Sequence, residues 1–356
     1  MKERILVINP GSTSTKIAVF EAEQEILNET IRHDADELAQ FDSITDQYDF
    51  RSNIIQESLK SEGIEPSSFD AVIGRGGLLK PIPGGVWAVN ERMTEDLRAG
   101  VSGQHASNLG GLIAHEIAHT SQAPSLIADP VVVDELQPLA RISGHPELPR
   151  ISIFHALNQK AVARRAAAEM EKSYEQSNLI VAHMGGGISV GAHKNGEVID
   201  VNNALNGEGP FSPERSGTLP AGQLVELCFS GKYTQKEIMK MLKGKGGFMA
   251  YLGTSDGREV DQRGQKGEEL AELVFQAMAY QVAKEIGALA SVFSGRLDGI
   301  ILTGGLAYND RLTTLIKERV EFISRVLIYP GEGEIEALRD AALRVLRGED
   351  EAQTYN

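Results

Sequence analysis

One arrangement of residues occurs twice along the chain, and it constrains the fold more than any other feature. In residues 4–21 a β-branched run is followed by the polar turn 10–15 (PGSTST) and then by a second strand-like run. Residues 179–201 repeat this plan, with an apolar run ending in MGGG at 184–187, a second apolar run, and the hairpin signal Asn195-Gly196. Each copy predicts a β-hairpin with a glycine-bearing turn, so the chain is predicted to contain two related halves.

A second pair of segments supports the same duplication. Residues 70–78 (DAVIGRGGL) and 298–306 (DGIILTGGL) each read as a buried strand that ends in two glycines. Two halves that each carry a hairpin and later such a strand predict a duplicated α/β fold. Apolar residues at helical spacing predict helices between these strands, at 37–60, 109–119, 155–172, 268–292 and 334–346.

The length of the chain agrees with two halves, because 356 residues correspond to about two domains. Residues 142–149 contain one glycine and two prolines, which predicts the crossover between the halves. The last predicted helix is expected to return to the first half. We therefore expect a first domain of residues 1–147 completed by 332–356, and a second domain of residues 148–331.

Charge and cysteine content exclude several classes of function. Lys and Arg number 35 against 50 Asp and Glu, a formal net charge of −15, whereas nucleic-acid binding needs a basic face. No apolar run approaches the roughly 20 residues that span a bilayer. The single cysteine, Cys228, excludes an intrachain disulfide and a cysteine-rich metal site. We expect a cytoplasmic protein that acts on small molecules and binds neither nucleic acid nor membrane.

The two glycine-bearing turns have the composition of anion-binding loops. Turns rich in Gly and Ser direct backbone amides outward, and hydroxyl groups add donors without bulk. Lys16 follows the first turn with a positive charge, and His183 precedes the second. An ordinary hairpin turn is the alternative for either loop alone. A pair of such loops related by the repeat favours two contacts with the phosphates of one nucleotide.

Several motifs resemble those of the acetate kinase family. The segments similar to its first phosphate, second phosphate and adenosine motifs are 8–16 (INPGSTSTK), 182–187 (AHMGGG) and 303–309 (TGGLAYN). Three more segments resemble the butyrate kinase branch of the family, at 74–85, 154–160 and 203–211. The similarity extends over about residues 4–347. One departure follows His155, where the family usually continues Gly-Thr-Ser-His and residues 156–159 read ALNQ.

The resemblance implies a duplicated ribonuclease-H-like fold of the actin-like ATPase superfamily, with a central cleft between the domains. It also implies reversible transfer of the γ-phosphoryl group of ATP to a short-chain carboxylate, giving an acyl phosphate and ADP, with Mg²⁺ on the phosphates. A carboxylic acid is already ionised at pH 7, so this transfer needs positive charge around two anions and no general base. Family members form homodimers or larger assemblies, and we expect a homo-oligomer here.

The resemblance assigns roles to individual residues. Catalytic roles fall on Arg75, His155, Arg215 and Asp129. Contacts with the acid are expected from Gly77, Leu78, His105 and Phe154. Contacts with the nucleotide are expected from Asn9, Gly11, Ser12, Thr13, Lys16, His183, Gly185, Gly186, Gly187, Asp256, Arg258, Gly304, Gly305, Leu306 and Asn309. Asp129 and Glu336 would hold the metal, with Glu334 as the alternative to Glu336.

The size of the acid is predicted from one difference. Acetate kinases carry Val-Val-His after the substrate arginine, whereas this chain has Gly76-Gly77-Leu78. Loss of two β-branched side chains would open room for methylenes, each worth roughly 0.8 kcal/mol when buried. We therefore expect a four-carbon or branched acid to be preferred over acetate. Butyrate and isobutyrate remain equally possible, as do both directions of the reaction.

Two other functions stay open at this point. Residues 115–119 (HEIAH) match H-E-x-x-H, in which two helical histidines bind zinc and the glutamate acts as a base. Glu135 and Glu147 are the downstream candidates for a third zinc ligand. A helix with solvated histidines near its C-terminus explains the same residues without a metal. The other possibility is an actin-like ATPase without metabolic activity, although the two arginines have no role there.

Overall fold

Two mixed β-sheets organise the chain, of which the computed structural model describes residues 3–356. The sheets belong to two units. The first unit comprises the residues up to Val133 together with Gly333–Asn356, and the second comprises Asp134–Glu332. No helix within residues 3–356 is long and apolar enough to cross a bilayer.

The first unit has a seven-stranded sheet. Its strands are β1 (Arg4–Pro10), β2 (Ser14–Glu21), β3 (Gln24–Arg32), β4 (Ala71–Arg75), β5 (Val86–Ala88), β6 (Ser125–Ala128) and, at the end of the chain, β12 (Gln353–Thr354). Its helices are α1 (Ala35–Leu38), α2 (Tyr48–Ser61), α3 (Glu91–Ala99), α4 (Asn108–Ser121) and α13 (Glu334–Leu346). The strand order is β12-β5-β6-β4-β1-β2-β3. Strands β1, β2 and β3 are antiparallel neighbours, while β4 runs parallel to both β1 and β6.

The second unit has a five-stranded sheet. Its strands are β7 (Asn178–Met184), β8 (Ile188–Lys194), β9 (Glu197–Val201), β10 (Gly299–Gly304) and β11 (Val326–Pro330). Its helices are α5 (Pro138–Arg141), α6 (Ala156–Glu169), α7 (Ala221–Cys228), α8 (Gln235–Leu242), α9 (Gly247–Leu252), α10 (Gly257–Gln265), α11 (Glu269–Ala290) and α12 (Asp310–Val320). Short 3₁₀ turns lie at Thr45–Gln47, Pro66–Ser68, Tyr174–Gln176, Ser291–Phe293 and Gly305–Tyr308.

The same strand arrangement occurs in both sheets. The order β6-β4-β1-β2-β3 in the first unit corresponds to β11-β10-β7-β8-β9 in the second. In each, an antiparallel hairpin is followed by a strand that pairs in parallel with the first strand of that hairpin. The predicted duplicated α/β fold is therefore confirmed. The carboxyl ends of the parallel strands meet at one edge of each sheet, next to the hairpin turn.

The central strands lie inside each unit because their apolar runs have no polar face. Ile5–Ile8 in β1 and Leu179–Ala182 in β7 have no exposed surface, which is typical of strands covered on both sides. In the second unit, α11 packs its alanine-rich buried side on this sheet. In the first unit α4 comes so close to β4 that a Cβ atom on Gly74 would lie 2.1 Å from the Gly110 carbonyl oxygen.

Four of the predicted helices are present as α4, α6, α11 and α13. The predicted helix 37–60 is interrupted, because α1 ends at Leu38 and α2 begins at Tyr48. Residues 134–147, which the sequence analysis placed in the first domain, belong to the second unit. A buried ion pair between Glu135 and Lys160 (2.7 Å) holds this segment to α6.

Candidate functional site

A buried arginine lies beneath the turn that joins β1 to β2. Arg51 on α2 has no exposed surface. Its guanidinium donates hydrogen bonds to three backbone carbonyls of the turn, those of Gly11 (2.8 Å), Ser14 (3.2 Å) and Ser12 (3.3 Å). It also donates to the side chains of Thr15 and Gln47. Because burial disfavours the charged form, the pKa of Arg51 is lowered to about 10.

These bonds determine the direction of the amides in the first turn. The C=O and N–H groups of a planar trans peptide point in opposite directions. Carbonyls directed at Arg51 therefore turn the amides of Ser12 and Thr13 away from it. The backbone amide of His33 fixes the Thr13 carbonyl in the same way (3.0 Å). The side chains of Ser12 and Thr13 are exposed, so the turn presents amides and hydroxyls, the donors that suit phosphate oxygens.

An arginine, an asparagine and a glutamate lie together in the first unit. Arg75 ends β4, and its two terminal nitrogens bind the two oxygens of the Glu334 carboxylate (3.0 and 2.9 Å). Asn9, near the end of β1, donates to the same carboxylate (2.8 Å). Since β1 and β4 are parallel neighbours, they deliver Asn9 and Arg75 to one edge of the sheet, where α13 begins. The Arg75 side chain is 24% exposed.

The two acidic candidates on α13 differ in position. Glu334 is half-buried and belongs to the cluster with Arg75, whereas Glu336 is exposed. The structure therefore brings Glu334, and not Glu336, to Asn9 and Arg75. Lys16 pairs with Asn9 across the β1–β2 hairpin, and its side chain is exposed.

Asp129 lies at the same sheet edge, directly after β6. It is buried, and its carboxylate accepts a hydrogen bond from the Gly85 amide (2.7 Å). Its φ of 38° is in the left-handed region, which non-glycine residues adopt at a cost and which is enriched at functional positions. Since β6 pairs with β4 in parallel register, Asp129 follows the residue opposite Arg75. Asn9, Asp129 and Glu334 offer oxygen ligands, the kind that Mg²⁺ prefers.

The glycines expected to open room for the acid are in contact with neighbouring chain. A Cβ atom on Gly76 would lie 2.6 Å from Pro130 Cβ, and one on Gly77 would lie 2.6 Å from Asn108 Cα. The Asn108 side chain also accepts a hydrogen bond from the Leu78 amide (2.8 Å). The expectation that these glycines leave space for methylenes is wrong, because they instead permit close packing against α4 and Pro130. Contact between Gly77 and the substrate stays a prediction.

Of the other residues expected to contact the acid, Leu78 and His105 lie in the first unit and Phe154 lies in the second. Leu78 is half-buried and lies against Gly103. His105, just before α4, is exposed and bonds the Ser107 hydroxyl through Nδ1 (2.9 Å). Both residues therefore belong to loops that pack at the start of α4. Phe154 is buried in the second unit, just before α6.

A second arginine lies against the turn that joins β7 to β8. A Cβ atom on Gly187 would lie 1.9 Å from Nη1 of Arg215, so a residue without a side chain leaves the space that this guanidinium fills. Arg215 Nη1 donates to the Ala204 carbonyl (2.7 Å), and the Ser212 hydroxyl donates to the Gly186 carbonyl (2.5 Å). Burial lowers the pKa of Arg215, and the carboxylate of Glu214 opposes that shift.

Two stacked histidines lie beside the second turn. The ring centroids of His155 and His183 are 3.9 Å apart and the ring planes differ by 12°. His183 is buried near the end of β7, and a Cβ atom on Gly185 would lie 3.3 Å from its Nε2. The structure thus brings His155 and His183 together beside the turn that Arg215 contacts.

The turn after β10 packs against the end of β7, where the β7–β8 turn begins. Gly304 has a φ of 86°, and a Cβ atom there would lie 2.4 Å from the Met184 carbonyl oxygen. Gly305 is exposed, with open space where a side chain would be. A Cβ atom on Gly257 would lie 2.7 Å from Leu306, which places residues 256–258 beside this turn. The predicted adenosine and second phosphate motifs are therefore neighbours.

Two residues expected at the nucleotide cap helices. The Asn309 side chain accepts from the Leu312 amide at the start of α12 (2.8 Å) and donates to Asp261 (2.8 Å). Asp256 caps α10 by accepting from the Arg258 amide (2.8 Å), and the Arg258 side chain is 85% exposed. These side chains stabilise local structure, and their contact with a nucleotide stays a prediction.

The H-E-x-x-H segment does not have the geometry of a zinc site. The Glu116 carboxylate accepts hydrogen bonds from Tyr48 (2.6 Å) and Ser52 (2.8 Å) on α2, and His115 bonds the Ser125 hydroxyl (3.1 Å). Glu135, a proposed third ligand, is paired with Lys160. Within residues 3–356 no group of three or more His, Cys, Asp or Glu side chains could hold a metal ion.

Sequence reasoning missed Arg51 and the residues that bind the two histidines. An arginine within a helical pattern predicts a solvated face, and the carbonyls that Arg51 binds lie 37–40 residues earlier in the chain. Asn158, whose side-chain oxygen lies 2.7 Å from His183 Nδ1, did carry a signal, because it is part of the segment 156–159 that departs from the family's usual sequence. Ser189, whose hydroxyl lies 2.9 Å from His155 Nδ1, lies in the mostly apolar strand β8 and carried no such signal.

Known proteins share both the sequence and the architecture. A model described as the acetokinase family matches residues 149–324. Butyrate kinase 2 of Clostridium acetobutylicum is 59% identical over 355 residues, which covers 100% of both chains.

Solved structures agree in fold. Acetate kinase from Porphyromonas gingivalis has a TM-score of 0.78 at 19% identity, covering 96% of this chain and 99% of that one. Acetate kinase from Entamoeba histolytica has a TM-score of 0.75 at 16% identity, covering 96% and 99%.

Proposed function

The chain belongs to the acetokinase family and is a carboxylate kinase that uses ATP, and we propose that its preferred acid is a short-chain fatty acid with four carbons or a branched chain. The observation that supports this class of acid is the full-length similarity, at 59% identity, to a butyrate kinase. The space once expected at Gly76 and Gly77 gives no support, since Pro130 and Asn108 fill it.

The proposed reaction is a direct transfer between two anions. A carboxylate oxygen of the acid attacks the γ-phosphorus of ATP, the bond from that phosphorus to the β–γ bridging oxygen breaks, and ADP leaves. The products are an acyl phosphate and ADP, and no proton is gained or lost by the acid. Because both reactants are negatively charged, catalysis depends on cations and N–H donors placed around the transferred group.

The second unit supplies three of these groups in our proposal. The amides of Gly186 and Gly187 bind the phosphates, while the Gly185 amide donates within the turn to the Gly187 carbonyl (3.0 Å). Arg215 stabilises charge on the transferred phosphoryl group. His155 donates a hydrogen bond to a phosphoryl oxygen. The observation that carries this assignment is the position of Arg215, whose guanidinium fills the space beside Gly187. A guanidinium suits this role because it is planar, charged and able to donate two parallel hydrogen bonds.

The first unit supplies the Ser12 and Thr13 amides for phosphate oxygens and Arg75 for the acid, while the Gly11 amide donates within the turn to the Ser14 carbonyl (2.7 Å). Arg75 already binds one carboxylate, that of Glu334, through both terminal nitrogens. A guanidinium suits the carboxylate of a fatty acid for the same reason. Asn9 donates to the Glu334 oxygen that Arg75 Nη1 also binds.

In our proposal a magnesium ion is held by oxygen atoms of the first unit. Asp129 and Glu334 would hold it together with Asn9, and an ion bound mainly to nucleotide phosphates needs one or two protein carboxylates. When bound, Mg²⁺ neutralises phosphate charge. We also propose a homodimer or a larger homo-oligomer in the cytoplasm, which light scattering and cell fractionation would test.

The test of the proposed function is trapping of the product with hydroxylamine. The protein is incubated with ATP, Mg²⁺ and straight or branched acids of two to six carbons, and acyl hydroxamate is measured. We expect the highest kcat/KM for acids of four carbons or for branched acids of similar size. Preference for acetate would contradict the substrate class, and absence of hydroxamate with every acid would contradict the reaction.

A further inference from the structure

Buried polar side chains form a row behind His155. Ser189 and His193 share one face of β8, since successive side chains of a strand alternate between faces. Ser189, Gln159 and His193 have no exposed surface. A Cβ atom on Gly191, which lies between Ser189 and His193 on that face, would be 2.4 Å from Gln159 Oε1. The strand therefore leaves a specific space that the Gln159 amide fills.

The amide of Gln159 can adopt one orientation. Its nitrogen lies 3.0 Å from the Ser189 carbonyl oxygen, which only accepts hydrogen bonds, and 2.8 Å from the Ser189 hydroxyl. Its oxygen consequently faces Nε2 of His193 (3.0 Å), and that nitrogen carries a proton. Burial holds the pKa of His193 well below its ordinary value, so the ring is neutral. Its Nδ1 then accepts from the Tyr174 hydroxyl (2.8 Å).

The Ser189 hydroxyl transmits this orientation to His155. Its oxygen accepts from Gln159 and, at 3.4 Å, from the His155 backbone amide. Both lone pairs are then used, and the hydroxyl hydrogen is directed to Nδ1 of His155, 2.9 Å away. A neutral imidazole whose Nδ1 accepts a hydrogen bond carries its proton on Nε2.

We propose that Gln159 and Ser189 are positioning residues that hold neutral His155 with its proton on Nε2. The inference rests on the proposed function, in which that edge of the ring faces a phosphoryl oxygen. Phosphoryl oxygens accept hydrogen bonds, so an Nε2–H group attracts them and an Nε2 lone pair repels them. The orientation is therefore part of the chemistry, and it is imposed by groups that never touch the substrate.

His183, which stacks on His155, carries its proton on the other ring nitrogen. His183 Nδ1 lies 2.7 Å from Asn158 Oδ1, and the Asn158 nitrogen donates to the Glu332 carbonyl (2.5 Å). The Asn158 oxygen must therefore accept from His183, and a neutral His183 carries its proton on Nδ1. Consecutive residues of α6, Asn158 and Gln159, thus assign different protonated nitrogens to the two rings.

The direct test is the nitrogen NMR spectrum of the intact protein labelled with ¹⁵N in its histidines. Two-bond ¹H–¹⁵N correlations distinguish the two neutral forms, and His155→Gln and His183→Gln identify the signals. At pH 8 we expect His155 to be protonated on Nε2 and His183 on Nδ1. His155 protonated on Nδ1 would overturn the proposal. The spectrum needs no turnover, so this failure is distinguishable from failure of the proposed function.

Variants test whether the orientation matters for the rate. Ser189→Ala removes the hydroxyl, and we expect loss of the fixed Nε2–H form together with a kcat lowered about 100-fold, the lower end of the cost of losing one donor placed for developing charge. KM for ATP and for the acid should change less than kcat. Ser189→Thr retains the hydroxyl and should recover most of the loss. The matched control is Ser177→Ala, another buried serine, whose hydroxyl bonds the Ser173 carbonyl.

Gln159→Glu keeps the shape of the side chain but removes the N–H donors, and it serves if Ser189→Ala does not fold. The hydroxyl hydrogen of Ser189 would turn to the carboxylate, and His155 would become protonated on Nδ1. A lower kcat in either variant with an unchanged His155 spectrum would show a packing role and overturn the proposal.

Discussion

The β1–β2 and β7–β8 turns occupy equivalent places in the two sheets, yet the arginine beside each makes different contacts. Arg51 lies under the first turn, and its guanidinium bonds three of the turn's own carbonyls. Arg215 lies beside the second turn, in the space that Gly187 leaves. Within the described residues its guanidinium makes one side-chain hydrogen bond, to the Ala204 carbonyl.

The different contacts of Arg51 and Arg215 show which features the two halves of a duplicated fold retain. The strand order and the hairpins are retained because they hold each core together, whereas the polar groups around the turns have diverged. In the first unit the Arg51 guanidinium is bound by carbonyls of the turn and by the Thr15 and Gln47 side chains, so in our proposal the amides bind the phosphates. In the second unit Arg215 makes fewer bonds within the protein, so in our proposal its guanidinium contacts the transferred group directly.

The largest expected effect comes from removing the arginine of the second turn. Arg215→Ala should lower kcat about 1,000-fold, the cost of losing a donor placed for developing charge, with little change in thermal unfolding. Arg215→Lys should recover little, since an ammonium lacks the planar fork. Hydroxamate formation measures the rate, and Arg319→Ala, on the exposed side of α12, is the control. Comparable rates in Arg215→Ala and wild type would remove Arg215 from the reaction.

Removing the arginine of the first turn should instead reduce stability. Arg51→Met removes the Arg51 donor from the Gly11 and Ser12 carbonyls and one of two donors from the Ser14 carbonyl, and we expect the free energy of unfolding to fall by about 3 kcal/mol. KM for ATP should rise because the turn's amides lose their fixed direction. Urea unfolding and initial rates measure the two effects. A large fall in kcat with unchanged stability would mean that Arg51 acts like Arg215, and the contrast between the turns would fail.

The surroundings of Arg51 also predict a dependence of stability on pH. His33 is buried, and burial together with the charge of Arg51 lowers its pKa to about 4. Below pH 6.5 the unfolded chain binds a proton at this residue that the folded chain does not, so acid favours unfolding until the folded pKa is reached. The loss attributable to His33 is about 2 kcal/mol between pH 6.5 and pH 5.

The His33→Gln variant should lack the part of the acid-induced loss of stability that is attributable to His33. Urea unfolding at pH 7 and pH 5 gives the two differences to be compared. Equal pH dependence in the variant and in wild type would show that His33 is not held neutral beside Arg51.

The smallest expected effects separate the glycines of the two turns. Gly187→Ala places a methyl group where the Arg215 guanidinium lies, and we expect kcat to fall about 10-fold, or about 1.4 kcal/mol. In Gly11→Ala the nearest atom to the new carbon is Ser14 O at 3.4 Å, so the loss should be smaller. Gly287→Ala, in open space on α11, is the control. A larger loss in Gly11→Ala would reverse the comparison.

The sequence predicts the duplication because strands buried on both faces and ending in glycine leave a pattern that survives divergence. The sequence does not show whether a glycine leaves open space or allows close packing by a neighbouring segment. Gly76 and Gly77 are equally consistent with open space and with close packing, and Pro130 and Asn108 decide between them. The same limit applies to Arg51, since its acceptors belong to a distant segment that only folding brings near.

The catalytic candidates show a similar division. Motif resemblance selects Arg75, His155 and Arg215, which lie at the end of β4, just before α6 and beside the β7–β8 turn. Their catalytic roles stay predictions. Motif resemblance does not distinguish Glu334 from Glu336, which are two positions apart on one helix and differ only in the direction their side chains take. The contacts of Glu334 with Asn9 and Arg75 separate them.

The first unit is discontinuous in sequence, and this has a consequence for biosynthesis. The ribosome makes all of the second unit before it makes α13, so the nascent first unit lacks its last helix while the second is complete and able to fold. Glu334 reaches Arg75 across 259 positions of chain. The Glu334 carboxylate, which binds Arg75, is therefore added late in translation. The cluster can form only after the intervening second unit has been synthesised.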